Sequence, residues 1–488
     1  MKFKTRDDIT KFLSDYEISL EDRINNFNFS GVNFWPIIKI SNAYSLYQQS
    51  LNNNNDLERE KQNPIKLRLD HYVPWLKLKL IDFKKNQNIN LTNDIDICII
   101  TRSIDRRLYL SDAGWFCIFS DSLRKTYPDL NIINLERVVK KSPKYPRYNP
   151  SVVINGLETI NGHLIKKDKF NLSKDFINSY KIFLQSNNLN YDKSKLINQI
   201  QYFFSIFNTY TSIFRKLSPK LVFVVNWYST AGMAICYAAK RLKIPCFDFQ
   251  HGMQSKEHFG YSGWENLPIN AYSIFPSHFW VWSSKERDNL IKNNSIFKDS
   301  NIVEGGNLWL NLWLKNSLFL EEPLTYAEKV FCQNKKYILV TLQTNSNFEI
   351  KFIYDIIKNS PDNWSWLIRV HPSETKGIGQ LKNIFKCFGE KIEIDHSTKL
   401  PLYAIFKRID SHITGFSTCA IEALNFGIKS VIFHPNGKKA FENYIEEKSF
   451  YYAEDVQNAL SILKYLIKLN LQFKSKTPEI YPIKRNFF

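Results

Sequence analysis

The sequence predicts an α/β protein made of two consecutive, doubly wound domains that face a central cleft. Two observations carry the prediction. Apolar runs of strand length alternate with helical stretches, and the alternation restarts after Gly305-Gly306. The chain has 488 residues, too many for one hydrophobic core and enough for two domains of ordinary size.

Residues 1–90 read as a helical, aromatic extension, broken by the polar run Leu51-Asn-Asn-Asn-Asn-Asp56. Asp94–Thr101 has the pattern of a buried strand, and the polar loop Arg102-Ser-Ile-Asp-Arg-Arg107 follows it. Asn131–Leu135 is a second strand. Residues 140–165 carry three prolines and read as loop, and helices fill 172–217. Lys220–Asn226, Ala231–Leu242 and Ile244–Phe249 form a strand-helix-strand unit, which implies a parallel pair. Phe279–Trp282 and Ile302-Val303 complete a first Rossmann-like domain, residues 1–304, and Gly305-Gly306 is a candidate hinge. The second domain, residues 305–488, has strand patterns at Tyr337–Thr341, Trp366–Val370, Lys391–Ile394, His412–Thr414 and Ser430–Phe433.

Composition narrows the function. The 44% hydrophobic and 15% aromatic content suits a packed globular protein. No run of about 18 apolar residues predicts a membrane span, and the start has no apolar segment of signal-peptide type. Seven cysteines are scattered singly, which predicts reduced thiols in a cytoplasmic setting, without a zinc site or a disulfide framework. A net charge of +19 favours an acidic partner. No RNP motif, zinc finger or recognition helix is visible, so nucleic acid is not among the expected partners. An anionic membrane face is, with Phe34–Lys39 and Trp75–Leu80 as candidate anchors on the cytoplasmic side. The pair Asp94 and Asp96 resembles a metal-binding DxD but opens its strand, the wrong end for a ligand, so no metal and no cofactor are expected.

The chemistry concentrates at strand ends. Ligands of open α/β sheets bind beyond the carboxyl ends of the strands. Arg369-Val-His-Pro372 closes one strand pattern, and Thr414-Gly-Phe-Ser-Thr418 turns from another into a helix carrying Glu422. Helix N-termini with hydroxyls beside them hold anions. Arg369, His371, Pro372, Gly415, Ser417 and Thr418 are therefore candidate phosphate-binding residues, with Glu422 a candidate for a ribose hydroxyl. Each has an ordinary alternative: His371 as a strand end, Ser417 or Thr418 as an N-cap, Glu422 as a solvated helix carboxylate. In the first domain, Gln250-His251-Gly252 follows a buried strand, with Glu257 in the same loop. His251, Glu257 and Asp112 are candidate catalytic groups. Arg102, Asp105, Arg106, Gln250 and Gly252 are candidates for holding a second substrate. A serine hydrolase is disfavoured, because Cys419 replaces the second glycine of a G-x-S-x-G turn and no Asp lies between Ser417 and His434.

Three motifs in order resemble a family. Ile244-Pro-Cys-Phe-Asp-Phe-Gln-His-Gly252 is similar to the Gln-His-Gly signature of bacterial capsule and lipopolysaccharide glycosyltransferases of the GT-B fold. His371-Pro372 and Ser417-Thr418 resemble the His-Pro and Ser-Ser/Thr motifs of bacterial sialyltransferases and 3-deoxy-manno-octulosonate (Kdo) transferases. The resemblance spans residues 220–440 and implies a nucleotide-sugar donor held mainly by the second domain. It implies a glycan or lipid-linked glycan acceptor held mainly by the first. A CMP-activated acidic sugar is the donor it implies first, with a UDP-, GDP- or TDP-sugar or CDP-glycerol as the alternative. The Asp/Glu-Asp/Glu-Gly motif of the sialyltransferases has no counterpart here, so their catalytic carboxylate does not carry over.

Overall fold

The computed structural model describes residues 3, 5–52, 94–138, 144–154, 171–252, 254–265, 267–331, 335–343, 347–371 and 377–473. The chain divides into two compact units, the first ending at Leu308 and the second beginning at Trp309.

The first unit opens with helix α1 (Arg6–Leu20), started by a capping box in which Thr5 and Asp8 satisfy each other's N–H groups. A short hairpin, β1 (Asn28–Phe29) and β2 (Val32–Asn33), leads into helix α2 (Trp35–Asn52). Phe34, Trp35, Ile37, Ile38 and Lys39 are all buried here. The Trp35 indole and the Lys39 ammonium each donate to Glu17 Oε2 at 2.8 Å. That corrects the reading of Phe34–Lys39 as a membrane anchor, because the segment is core and its cation is spent on a buried carboxylate. Trp75–Leu80 lies outside the described residues.

The sheet of this unit takes β3 (Ile97–Arg102), β6 (Ile132–Arg137), β7 (Val152–Ile154), β8 (Leu221–Val224), β9 (Cys246–Phe249), β10 (His278–Val281) and β11 (Ile302–Glu304). Between β3 and β6 stands a separate hairpin, β4 (Arg106–Leu110) and β5 (Gly114–Cys117). The seven strands run in the order β11-β10-β9-β8-β3-β6-β7, with every pairing parallel. Two expectations change. Arg106 and Arg107 belong to a strand, not to a loop, and the proline-bearing stretch holds the three-residue strand β7. Gly305-Gly306, the candidate hinge, is hydrogen-bonded to the end of β10. Both N–H groups donate to Val281 O at 3.1 Å, and the Trp280 indole donates to Gly306 O at 3.0 Å.

The second unit builds β12 (Lys336–Thr341), β13 (Trp364–Arg369), β14 (Ile392–Glu393), β15 (Ser411–Thr414), β16 (Ser430–Ile432) and β17 (Phe450–Tyr452). They form a six-stranded parallel sheet in the order β14-β13-β12-β15-β16-β17. Both units are thus Rossmann-like, doubly wound sheets. Each winds outward from its first strand, then returns past it and winds the other way. The reversal lies between β3 and β8 in the first unit and between β12 and β15 in the second. In such sheets the crevice at the reversal is where ligands enter.

Candidate functional site

In the second unit, strand register decides which loops meet. Arg369, Thr341, Thr414 and Ile432 stand side by side across β13, β12, β15 and β16. The four chains therefore leave the sheet along one edge, carrying His371, Gln343, Phe416 and His434 two residues later. The Gly415-Phe-Ser-Thr418 turn falls directly at the reversal. Thr414 anchors it by donating from Oγ1 to Thr341 O at 2.7 Å and accepting the Ser417 N–H at 3.4 Å. Ser417 Oγ accepts the Cys419 N–H at 3.3 Å and so caps the short helix Cys419–Leu424, whereas Thr418 makes no side-chain cap bond. The ring of Phe416 lies 5.2 Å from that of His434.

Sequence reasoning missed Glu349, whose carboxylate is buried beside this turn. Its Oε2 accepts the Gln343 N–H at 3.0 Å. A Cβ on Gly415 would stand 2.0 Å from Glu349 Oε1, so the glycine is what lets turn and carboxylate share the space. Burial raises the Glu349 carboxyl to about 7. Below the turn, His412 is fully buried between Thr341 Oγ1 at 2.9 Å and Ser430 Oγ at 2.8 Å, and burial lowers its pKa to about 3. It is a neutral strut of the sheet.

The other candidates of this unit spread along the same edge. His371 is exposed just past β13, two strands from Ser417, which is roughly 10 Å at ordinary strand spacing. A nucleotide spans that distance and a single phosphate does not. The Arg369 guanidinium donates to the carbonyls of Ser397 and Leu400, both at 2.6 Å, which ties β13 to the helix Asp395–Lys399. Glu422 is half-buried on the capped helix. Pro372 lies outside the described residues.

In the first unit the reversal is furnished by the ends of β3, β8 and β9. Ile100, Val224 and Asp248 stand side by side, so Arg102, Asn226 and Gln250 emerge together two residues on. Asn226 has φ +74°, an uncommon backbone state for a non-glycine residue and one that turns the chain sharply into the helix Thr230–Arg241. Tyr228 then reaches His251, with its hydroxyl 3.1 Å from Nε2 and the two rings stacked at 5.8 Å. His258 meets the same tyrosine edge-on at 4.6 Å. Burial lowers the basicity of His251 strongly, and Arg102, His258 and Arg107 lower it further. His258 is lowered to about 3, chiefly by burial. Both rings are neutral at pH 7.

The remaining candidates are mostly structural in placement. Gln250 braces neighbouring strands, accepting the Trp282 N–H at 2.7 Å and donating to Gly252 O at 3.0 Å. Glu257 is buried and accepts the Asp7 N–H at 3.1 Å in the first turn of α1. Arg102 is paired with Asp105 at 2.9 Å. Arg106 is fully buried, donating to Glu136 at 2.7 Å and to Trp115 O at 2.6 Å. It locks the β4–β5 hairpin to the sheet and presents nothing to a substrate. Asp112 is exposed in the turn of that hairpin. A Cβ at Gly252 would meet nothing within 4 Å, so open space lies beside His251. Asp94 and Asp96 both pair with Lys220, at 3.4 and 2.7 Å. Among the described residues no three His, Cys, Asp or Glu side chains gather as metal ligands.

No protein-family model matches the chain, and no curated protein matches it. Among solved structures it is similar to UDP-GlcNAc 2-epimerase from Neisseria meningitidis bound to UDP-GlcNAc, at 13% identity and a TM-score of 0.48, covering 80% of this chain and 96% of that one. It is also similar to MnaA of S. aureus with UDP, at 11% identity and a TM-score of 0.47, covering 79% and 92%. UDP-GlcNAc 2-epimerase from Methanocaldococcus jannaschii gives 15% identity and a TM-score of 0.44, covering 79% and 94%. Likeness of this degree concerns the course of the chain and says nothing about activity. None of these three is a Kdo transferase or a sialyltransferase, so that resemblance rests on the sequence motifs.

Proposed function

We propose that this chain is a nucleotide-sugar-dependent enzyme, and more finely a glycosyltransferase of the GT-B class. One observation carries the reading. The Gly415-Phe-Ser-Thr418 turn, with its Ser417 hydroxyl and the start of a helix, occupies the strand-order reversal of a Rossmann-like sheet. That is where such sheets take nucleotides. The second unit would hold the donor, and the first would hold the acceptor beside His251.

The chemistry asks for a leaving phosphate that gathers charge as the glycosidic bond breaks. Donors already fixed in place stabilise that charge without reorganising. The Ser417 and Thr418 hydroxyls would supply such donors, and His371 stands along the same edge. On the acceptor side, His251, with its ring against the Tyr228 hydroxyl, is the group that would take a hydroxyl proton. Transfer of a CMP-activated Kdo or sialic acid to a surface polysaccharide is the finest form of this reading, and it rests on the motif resemblance. A UDP-, GDP- or TDP-sugar or CDP-glycerol fits the same turn. Attachment to an anionic membrane face belongs to the proposal through the net charge of +19 alone. Among the described residues no helix is long and apolar enough to cross a membrane.

The test is a thermal-shift panel of CMP, UDP, GDP and TDP on the full chain and on Ser417→Ala. A ligand that binds the folded state stabilises it by mass action, by about 2.7 kcal/mol at 100 times Kd. One nucleotide should raise the melting temperature, and the variant should lose most of the rise. No shift with any of the four would end the nucleotide-sugar reading. The stabilising nucleotide then selects the sugar donors for a transfer assay.

A further inference from the structure

We propose that the first unit binds an aliphatic phosphate, an anion carrying an apolar tail, in a cleft at the amino end of its sheet where Lys240, Lys243 and Lys298 meet an apolar wall. The cleft has no part in the nucleotide-sugar reading, and the two stand or fall separately.

Cys246 opens β9, His278 opens β10 and Asn301 directly precedes β11, so the cleft lies at the opposite end of the sheet from Gln250 and His251. Register sets these strand starts side by side, with His278 beside Phe247 and Phe279 beside Ile302. The cavity holds about 440 Å³, within the roughly 300–1,000 Å³ of small-molecule sites. Tyr272, Phe275, Phe279, Ile296 and Phe297 supply its apolar wall. The Cys236 and Cys246 thiols also line it, buried with their sulfurs 3.7 Å apart.

The uncharged polar side chains of the wall are already engaged. Ser277 Oγ accepts the Cys246 N–H at 2.8 Å and donates to Cys246 O at 3.0 Å. Asn301 donates to Ser277 O at 2.8 Å and accepts from the Ser300 hydroxyl at 3.4 Å. His278 has Nδ1 2.9 Å from Ser277 Oγ and its ring stacked on Phe247 at 4.6 Å. Little is left to read a base or a sugar ring, which need directed hydrogen bonds. Charge is what remains. Three lysines line the cleft, and no Asp or Glu among the described residues does. Among those residues Lys243 and Lys298 make no ion pair or side-chain hydrogen bond, and Lys240 donates to Tyr272 O at 3.2 Å. Asp299, next to Lys298 in the chain, faces Arg287 at 3.6 Å.

Lysines at the carboxyl end of the helix Thr230–Arg241 would suit its dipole in any protein. That accounts for Lys240 but not for the other two. Lys298 comes from a separate segment ahead of β11. Lys243 holds φ +58°, at the position after a helix where glycine is usual. A lysine in a glycine's place and a third cation from elsewhere together point to an anion. A bare phosphate would leave the apolar wall facing water, and an aliphatic tail covers it.

Calorimetry on the full chain uses octyl phosphate, octanol and inorganic phosphate as probes, for the parent, Lys243→Gly, Lys298→Gln and, as a charge control in the second unit, Lys315→Gln. Octyl phosphate should bind at least about tenfold tighter than inorganic phosphate or octanol, because tail burial adds to charge. Lys243→Gly and Lys298→Gln should each weaken it about tenfold, the loss of one charge-assisted hydrogen bond, and Lys315→Gln should leave it unchanged. Lys243→Gly should also hold or raise the melting temperature, since glycine suits that backbone, so its weaker binding is not misfolding. Sedimentation with phosphatidylcholine vesicles, with and without phosphatidic acid, separates the two sources of such a ligand. Retention that needs phosphatidic acid and is lost in the same two variants assigns a membrane lipid. Octyl phosphate binding without vesicle retention assigns a free ligand. Octyl phosphate binding no tighter than inorganic phosphate or octanol, unchanged binding in both lysine variants, or equal loss in the control overturns the site.

Discussion

Glu349→Gln should abolish a pH dependence of stability that belongs to the second unit. The carboxyl is 1% exposed and sits against Gly415, with one oxygen bound to the Gln343 N–H. Glutamine keeps an acceptor oxygen and the same volume but cannot ionise. Burial holds the carboxyl at about 7 instead of 4.5, so its protonated form is favoured in the fold. Its contribution to stability is complete below 4.5 and is lost as the pH rises through 7. At about 1.4 kcal/mol per pH unit, full ionisation costs the fold about 3 kcal/mol. Urea unfolding of both proteins at pH 5, 6, 7 and 8 measures it. Asp248 in the first unit is raised in the same range, so the parent's slope alone is ambiguous, and the difference between the two proteins removes that share. The variant should gain about 2–3 kcal/mol on the parent between pH 5 and pH 8. Parallel slopes would mean that Glu349 ionises in the fold without penalty, and the account of the turn would fail with it.

Ser417→Ala should lower turnover by about 10²–10³, the usual loss for one fixed donor, while the fold survives; a folded variant with parental rates would remove the turn from the chemistry. Activity should withstand excess EDTA, since Asp94 and Asp96 are tied to Lys220, and loss restored by Mg²⁺ would contradict this. Gly305→Ala should destabilise the first unit by about 1–3 kcal/mol or more, because the new Cβ would lie 1.9 Å from the buried Trp280 ring; an unchanged urea midpoint would show that the pair yields freely. Lys39→Met should cost about 3–5 kcal/mol by stranding Glu17, and the double change with Glu17→Gln should recover much of it, a recovery that urea unfolding either finds or does not.

The sequence made the strands legible where β-branched and aromatic residues run together, as at Ile97–Thr101, Leu221–Val224 and Trp364–Ile368, because buried parallel strands need continuous apolar runs. It also placed the Thr414–Ser417 turn, since a glycine and two hydroxyls between a strand and a helix have few other uses. It missed the β4–β5 hairpin and the three-residue strands β7 and β17, although β11 and β16 are as short and were legible. Arg106 looked like a ligand for charge, but its partner Glu136 is 30 residues away and the pair closes only in three dimensions. Glu257 and Gln250 followed the same logic, with polar side chains near a strand end spent on capping α1 and bracing β10. Glu349 gave no signal at all. Its raised pKa comes from burial beside Gly415, 66 residues downstream, and single-residue chemistry does not encode that.

Gly437 draws a last consequence from the packing of the second unit. A Cβ there would lie 2.0 Å from Gly415 O, as a Cβ on Gly415 would from Glu349. The turn is therefore wedged between a helix on one side and a carboxylate on the other, with backbone and not side chain as the gauge block. A surface held this way is shaped before anything arrives, so its ordering entropy is spent during folding and not on binding. Change at either glycine would then shift the height of the turn from beneath.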